Sequence, residues 1–288
     1  MYKPHKDSMP MPASSPAASL RACASAPESE PATAPAIAVR QVLKTFAGKH
    51  EVKALEAVDL TVAPHEFVSI LGPSGCGKST LLRIVAGLTP YQGGEVQVNQ
   101  RPVKGPSPEI GVVFQSSNML PWLTVADNMA LGAKLRGLDM QVLHPKLEQL
   151  TETLGLKGFE KHHPHQLSGG MRQRAAIGQI LALDPQILLM DEPFGALDAL
   201  TRDRLNVELL RIWQTLRQTV LLVTHSIAEA VFLSDRVIVM SGRPGRVVQE
   251  IQIDLPRPRQ PEEIKSDPRY GEYIAELSAL MGVFNDRH

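Results

Sequence analysis

Short runs of apolar residues alternate along this chain with segments whose apolar residues recur every three or four positions. The short runs have the length and composition of buried strands, whereas the wider spacing is typical of helices. The strand-type runs are 67–71, 110–114, 187–190, 220–224 and 236–240. This alternation predicts an α/β fold.

Other segments extend this core. Alternating apolar and polar positions predict further strands at 37–44, 57–62, 95–98 and 247–253. Residues 116–166 instead show helical spacing, in 125–135 and 146–154, and little strand character. They predict an inserted helical subdomain at about 116–175.

Helical spacing continues in the second half of the chain. One helix is predicted to follow Ser168 and to run to Leu183, where Asp184 and Pro185 stop it. Another is predicted at 226–233. Between them, a helix after Asp198 has one apolar face made by Leu205, Leu209, Ile212 or Trp213, and Leu216.

Composition divides the chain into three regions. Residues 1–36 are rich in proline, alanine and serine and carry almost no large apolar side chains, so we expect a disordered leader. Prolines interrupt any apolar stretch long enough for a signal peptide, so export is not expected. Residues 37–250 form the predicted core domain. Within 251–288, the proline-rich stretch 256–261 predicts a stiff linker to a short final helix near 270–281.

Charge and cysteine content exclude several protein classes. Lysine plus arginine and aspartate plus glutamate number 30 each, so no basic field indicates a nucleic-acid partner. Cys23 and Cys76 are too few for a disulfide framework or a cysteine metal site, and they favour a reducing setting. No apolar run approaches the roughly 18 residues of a membrane-spanning helix, so any membrane role requires a partner.

A glycine-rich loop follows the strand-type run 67–71 and leads into a predicted helix at Lys78. It matches G-x-x-x-x-G-K-[ST] in the strand, loop, helix context that gives this motif its meaning. Inward-pointing N–H groups and the helix dipole suit nucleotide phosphates, Lys78 suits the β- and γ-phosphates, and Ser79 suits Mg²⁺. A loop that merely turns the chain is the alternative. The predicted nucleotide-binding residues of this segment are Gly72, Pro73, Ser74, Gly75, Cys76, Gly77, Lys78, Ser79 and Thr80.

Polar side chains follow three other predicted strands. Asp191 is predicted to hold Mg²⁺, and the adjacent Glu192 to act as the general base for water. Gln115 can contact both the metal and the attacking water, and His225 can hydrogen-bond a γ-phosphate oxygen. The predicted catalytic set is Glu192, His225, Gln115 and Lys78, and the predicted metal ligands are Ser79, Gln115 and Asp191. The alternative for Asp191 and Glu192 is a solvated acidic turn. The alternative for His225 is a lone histidine that happens to lie at a strand end.

Two further features suit a nucleotide. Ser168 is a good N-cap residue, and Gly169 and Gly170 leave the N–H groups of its helix open to a phosphate. Phe46 lies upstream of the phosphate loop, where its ring either stacks on a purine or fills the core of a hairpin.

Two clusters have competing interpretations. His162, His163 and His165 suggest a metal site, but they lack helical spacing and a Cys or acidic companion, so a solvated loop is favoured. Residues 119–125 concentrate apolar side chains, including Trp122, beside a proline. These side chains either form an exposed docking patch or pack in the core, and the sequence is compatible with both.

Together these motifs resemble the ATP-binding subunits of ABC transporters. The resemblance covers about residues 37–250 and rests on motifs in the family's order. These are the phosphate loop, Gln115, 167–170, 187–192, 196–198 and His225. Further stretches resemble the ATPases of nitrate, sulfonate, taurine and bicarbonate importers, namely 120–122, 193–202, 241–246 and 265–268. Met171, where the family commonly has glutamine, and the long leader depart from the pattern.

The resemblance implies a P-loop NTPase fold, with a RecA-like mixed sheet core, an antiparallel β subdomain and an inserted α-helical subdomain. It implies hydrolysis of ATP with Mg²⁺ in a head-to-tail homodimer or heterodimer. The phosphate loop of one subunit would face Ser168, Gly169 and Gly170 of the other, and Asp198 would also contact nucleotide. Binding of ATP would close the dimer, and hydrolysis would reopen it.

The implied partners are a second ATPase subunit, an integral membrane permease and, indirectly, a periplasmic solute-binding protein. The implied location is the cytoplasmic face of the inner membrane. Sulfonate or taurine is the first expected solute and nitrate the next. One alternative is a soluble ABC ATPase that acts on nucleic acid or ribosomes. Such a protein should have a second cassette, a long coiled-coil insertion or a basic groove, and the sequence shows none of these. A nucleotide switch without turnover would not need Glu192 and His225.

Overall fold

The computed structural model describes residues 34–48, 51–195 and 197–285. The strands are β1 (Ile37–Phe46), β2 (Val52–Val62), β3 (Phe67–Leu71), β4 (Gly93–Val98), β5 (Arg101–Pro102), β6 (Ile110–Val113), β7 (Ile187–Asp191), β8 (Thr219–Thr224), β9 (Arg236–Met240) and β10 (Val247–Gln252). The helices are α1 (Lys78–Val85), α2 (Val125–Leu135), α3 (Met140–Thr153), α4 (Gly169–Leu181), α5 (Ala199–Leu216), α6 (Ile227–Leu233), α7 (Pro261–Ser266) and α8 (Pro268–Asn285).

The larger sheet carries the predicted site. Its strand order is β10-β9-β3-β8-β7-β6, parallel throughout except for the antiparallel pair β9 and β10. Strands β3, β7 and β8 are buried along their whole length, which explains their continuous apolar sequences. Because β3, β8, β7 and β6 run parallel, their carboxyl ends lie at one edge of the sheet.

The smaller sheet is antiparallel, with the order β2-β1-β4-β5. It packs around apolar side chains shared with α1 and with the larger sheet. The mixed sheet and the separate antiparallel sheet confirm the predicted fold class.

Helices α2, α3 and α4 pack together, and α4 also contacts the larger sheet at β6. Gly178 permits the close approach of α2 to α4, because a Cβ there would lie 2.7 Å from side-chain atoms of Leu154 and Met129. Helices α2 and α3 and the start of α4 lie in the segment where the sequence predicted an inserted helical subdomain.

Several predicted boundaries differ from the structure. Strand β2 begins at Val52 rather than residue 57, because its first residues pair with β1. Helix α3 begins at Met140 rather than at residue 146. Its N-cap is Asp139, whose side chain accepts from the Gln141 N–H. Helix α4 ends at Leu181 rather than Leu183.

The predicted apolar face of α5 is correct except at its end. Leu205, Leu209, Ile212 and Trp213 are buried, but Leu216 is 40% exposed. The helix stops there with Arg217 in a left-handed conformation, so Leu216 has no further turn to pack beside. Leu216 is therefore not a core residue.

The carboxyl-terminal segment differs most from prediction. Arg259 is buried and donates to the carbonyls of Val231, Phe232 and Ser234 at 2.8–3.1 Å, at the end of α6. Those carbonyls lack helical partners, so a guanidinium satisfies them well. Burial lowers the pKa of Arg259 to about 10. The expected stiff linker is thus anchored to the core, and two helices follow it instead of one.

The predicted leader, 1–36, lies outside the described residues except for its last three. Of these, Ala36 is buried and donates its N–H to the Val62 carbonyl at 2.8 Å, so pairing begins one residue before the predicted boundary. Among the helices of the described ranges, none is both long enough and apolar enough to cross a bilayer.

Candidate active site

The phosphate loop turns between β3 and α1 through two glycines in left-handed conformations, Gly75 (φ 74°) and Gly77 (φ 107°). A Cβ at Gly77 would lie 2.8 Å from the Ala54 carbonyl oxygen, so only glycine fits. Gly77 is the N-cap of α1 and offers no side chain to cap it. The amino end of α1 therefore faces the loop as a site for an anion.

Lys78 is only 5% exposed, and its ammonium bends back over the loop. Its Nζ donates to the carbonyls of Gly72 at 2.7 Å and Pro73 at 2.9 Å. The positive charge is thus held inside the curve of the loop. Cys76 is buried beside it, and this burial raises the pKa of the Cys76 thiol. The thiol therefore stays neutral at physiological pH.

Asp191 and Ser79 meet at the edge of the sheet. The Ser79 hydroxyl donates to Oδ1 of Asp191 at 2.6 Å, and the carboxylate is buried at the end of β7. Gln115, after β6, lines a surface depression together with Asp191. Hydroxyl, carboxylate and amide oxygens are ligands that Mg²⁺ accepts, and few protein ligands suffice when phosphates supply others. These residues therefore fit the metal.

Glu192 and His225 form a pair at the ends of β7 and β8. Nδ1 of His225 lies 3.2 Å from Oε2 of Glu192. Glu192 has a left-handed backbone (φ 46°), and its N–H donates to the Val223 carbonyl at 2.9 Å. Strained backbone of this kind is common at functional sites. Gln115 lies close to Glu192. A Cβ built on Gly195 would lie 3.3 Å from Nε2 of Gln115 and 3.4 Å from Oε2 of Glu192, so both side chains approach the same point.

Ser168 caps α4 by accepting from the Met171 N–H at 3.3 Å, with Gly169 and Gly170 in the first turn. This end of α4 borders its own cleft, which Thr201 also lines. Asp198 lies next to it and accepts from the Thr201 N–H at 3.0 Å, a bond that holds the pKa of Asp198 below its ordinary value. Within the described residues this cleft shares no lining residue with the phosphate-loop cleft. One chain does not bring the two anion sites together.

Phe46 lines the phosphate-loop cleft and is 43% exposed. The Lys44 ammonium lies 4.7 Å above the ring centroid. Because the ring is open to the cleft, the structure does not place it in a hairpin core. One face of the ring is covered by a cation, which leaves its exposed area for a planar ligand.

Arg243 also lines this cleft, and the sequence-based set did not include it. Its Nε and Nη2 donate to the Gly75 carbonyl at 3.1 and 3.0 Å. The turn that carries it is held to β2 by Gly245, whose N–H donates to the Ala54 carbonyl at 2.9 Å. The stretch that carries the resemblance at 241–246 includes this turn, but nothing in its spacing indicated that it reaches the phosphate loop.

The two ambiguous clusters also have defined positions. The rings of His163 and His165 stack with centroids 5.8 Å apart, and His162 packs on Phe159. The part of the chain that the structure describes contains no group of three or more His, Cys, Asp or Glu side chains that could hold a metal ion. In 119–125, Met119 is buried whereas Trp122 is 70% exposed.

Comparisons with known proteins agree with this geometry. The family described as ABC transporter matches residues 55–195. An uncharacterized ABC transporter ATP-binding protein of Methanocaldococcus jannaschii is 50% identical over 237 residues, covering 82% of this chain and 86% of that protein. The taurine import ATP-binding protein TauB of Escherichia coli (strain K12) is 44% identical over 241 residues, covering 81% of this chain and 92% of TauB.

Solved structures match as well. The dimeric structure of MJ0796, a bacterial ABC transporter cassette, has a TM-score of 0.67 at 33% identity and covers 76% of this chain and 99% of that one. The same cassette in a dimeric post-hydrolysis state, bound to ADP and Pi, has a TM-score of 0.65 at 33% identity.

Proposed function

Because this chain belongs to the ABC transporter ATP-binding family and is an ATPase, we propose that it powers the import of a small sulfonate such as taurine. In this proposal two copies trap ATP between them and drive a membrane permease. The observation that carries the proposal is the separation, within one chain, of the phosphate loop from the cleft at Ser168.

Hydrolysis would take place at the edge of the larger sheet. The N–H groups of the phosphate loop and Lys78 would bind the phosphates, and Phe46 would stack on the adenine. Ser79, Asp191 and Gln115 would hold Mg²⁺, which would supply positive charge to offset that of the phosphates. Oε2 of Glu192 would take a proton from the attacking water. His225, 3.2 Å from that oxygen, would orient the carboxylate and reach the γ-phosphate.

The dimer follows from the incomplete site. Ser168, Gly169 and Gly170 of one copy would meet the nucleotide on the phosphate loop of the other, with Asp198 beside them. Each copy would then supply half of each nucleotide pocket, so ATP would favour the closed dimer and hydrolysis would reopen it. The dimeric MJ0796 cassettes support this arrangement.

Import requires partners outside this chain. We assign the exposed Trp122 and its neighbours in the helical subdomain to the contact with the permease, and we propose the cytoplasmic face of the inner membrane as the protein's location. A periplasmic solute-binding protein would deliver the solute to that permease. Identity to TauB over most of both chains supports taurine or a related sulfonate as the solute; nitrate is the second candidate.

Glu192→Gln tests the proposed base and the dimer together. We expect turnover to fall by about 10²- to 10⁴-fold while ATP still binds, because the amide cannot accept the proton. The variant should form dimers with Mg·ATP, measured by analytical ultracentrifugation beside a phosphate-release assay. Glu263→Gln, an exposed glutamate on α7, is the matched control. Undiminished turnover would exclude Glu192 as the base, and a strictly monomeric variant would exclude the shared nucleotide pocket.

A further inference from the structure

The His225 ring is not fixed by packing. Its side chain is 47% exposed, and its Nδ1 lies 3.2 Å from Oε2 of Glu192. The residue stands between the last residue of β8 and the N-cap of α6, outside both elements. Its backbone is therefore positioned by the residues on either side of it, Thr224 and Ser226.

Both neighbours of His225 are bound to Glu229. The Thr224 hydroxyl donates to Oε2 of Glu229, and Oγ of Ser226 accepts from the Glu229 N–H at 3.3 Å. The Thr224 hydroxyl oxygen also accepts from the Ser226 N–H at 3.0 Å. Thr224 and Glu229 are buried, so bulk water does not compete for the bond between their side chains. These three bonds enclose the backbone of His225.

This network differs from an ordinary helix cap. The sequence Ser226-x-x-Glu229 is that of a capping box, in which the glutamate would accept from the N–H of the N-cap residue. Here Thr224 accepts from that N–H, and the carboxylate accepts from the Thr224 hydroxyl instead. Burial raises the pKa of Glu229, so the charged form of this carboxyl is costly here. A helix cap alone does not require that cost, because Ser226 already caps α6.

We propose that Glu229 is a positioning residue, which holds His225 in place for ATP hydrolysis through Thr224 and Ser226. This inference rests on the role proposed above for His225. When the bonds to Glu229 are lost, the His225 ring moves away from Oε2 of Glu192, and that carboxylate loses its orientation towards the attacking water. Affinity for ATP should not depend on Glu229, since the phosphate-loop cleft is lined by other residues of the described chain.

Thr224→Val and Glu229→Ala each break the bond between these two side chains. We expect each variant to lower ATP turnover by the full-length protein about 10- to 100-fold while the Kd for ATP changes less than about twofold, because only the reacting geometry is disturbed. Glu229→Gln keeps an oxygen that accepts from the Thr224 hydroxyl, so it should recover most of the turnover that Glu229→Ala loses. Phosphate release and titration with a fluorescent nucleotide measure the two quantities.

Nuclear magnetic resonance of protein with isotope-labelled histidine shows whether His225 itself moves. Its ring signal, assigned by its loss in His225→Ala, should shift in Thr224→Val and in Glu229→Ala. A mere loss of stability would leave that signal in place. Thr219→Val is the matched control, because it makes the same change at a buried position at the other end of β8. It should leave both the signal and the turnover close to those of the parent.

Two results would overturn the proposal. If the His225 signal stays in place in the folded variants, Glu229 does not position the ring, whatever the turnover. If the signal shifts but turnover stays at the parent rate while His225→Ala is impaired, the bonds to Glu229 do not serve hydrolysis. Failure of the proposed function is distinct, because His225→Ala would then hydrolyse ATP normally. Far-ultraviolet circular dichroism verifies folding, and either of the two variants decides the test if the other does not fold.

Discussion

Two adjacent acids at the end of β7 have different surroundings. Asp191 is buried and accepts a hydrogen bond from Ser79, whereas Glu192 has a left-handed backbone and contacts His225. One carboxylate is therefore directed to the phosphate loop and the other to the partly exposed neighbourhood of His225. This difference supports the division between metal ligand and general base that we propose.

Asp191→Asn should raise the Mg²⁺ concentration required for ATP hydrolysis by about 10- to 100-fold, because the amide keeps the bond to Ser79 but loses the charge. A Mg²⁺ titration of phosphate release measures this requirement, and chelation of the metal should stop turnover in the parent protein. Asp203→Asn, at an exposed position on α5, is the matched control. An unchanged Mg²⁺ requirement in Asp191→Asn would remove this residue from the metal site.

The turn between β9 and β10 links the two sheets at the nucleotide cleft. Arg243 holds the Gly75 carbonyl, and Gly245 exchanges backbone hydrogen bonds with β2 through Ala54 and Glu56. Arg246 adds an ion pair to Glu56 at 2.7 Å. The phosphate loop is short and rich in glycine, so its own residues restrict its conformation little. The turn between β9 and β10, far away in sequence, therefore supports the curvature of the loop.

Gly245→Ala tests this support. A Cβ there would lie 2.1 Å from the Cys76 carbonyl oxygen, so the phosphate loop must shift. We expect ATP affinity to fall by about tenfold or more and the free energy of unfolding to fall by about 1–3 kcal/mol. Titration with a fluorescent nucleotide and urea denaturation measure the two effects.

Gly105→Ala is the control for this change, since a Cβ at Gly105 meets no atom within 4 Å. It should leave both quantities close to those of the parent. If Gly245→Ala folds and binds ATP normally, the turn does not set the geometry of the loop.

At the scale of the whole molecule, exposed groups are as informative as buried ones. The clefts at the phosphate loop and at Ser168 are each lined by glycines, which leave backbone N–H groups accessible. Within one chain the two clefts are separate. Trp122 exposes 70% of its surface next to the buried Met119. A large exposed aromatic beside a packed anchor is typical of an interaction site. A partner that covers Trp122 and a second copy that completes each nucleotide site, as proposed above, would account for both features.

Trp122→Ala should weaken binding to the integral membrane permease by about 30-fold or more and lower its recovery from membranes accordingly, because a central aromatic anchor often contributes about 2 kcal/mol or more to binding. ATP affinity of the isolated protein should not change. Val248→Ala, an exposed apolar residue on β10, is the control. Co-purification from detergent-solubilised membranes measures the effect. Recovery of ribosomes or nucleic acid in place of a permease would contradict the importer assignment.

Sequence alone determined the α/β fold, the positions of its main strands along the chain and the family, and the structure and comparisons confirm these predictions. It also located the phosphate loop and the polar residues after β6, β7 and β8, whose catalytic and binding roles stay predictions. Such features are encoded locally: an apolar run, a break and a polar residue suffice to mark a strand end, and parallel strands bring their ends together.

Only the tertiary structure decided which distant segments meet. Arg243 lies 168 residues from Gly75, and the core contacts of Arg259 turn an apparent linker into an anchored segment. The exposure of Leu216 likewise depends on where α5 ends and on what packs against it. Contacts between residues far apart in sequence leave no periodic signal in either segment, so local patterns cannot predict them.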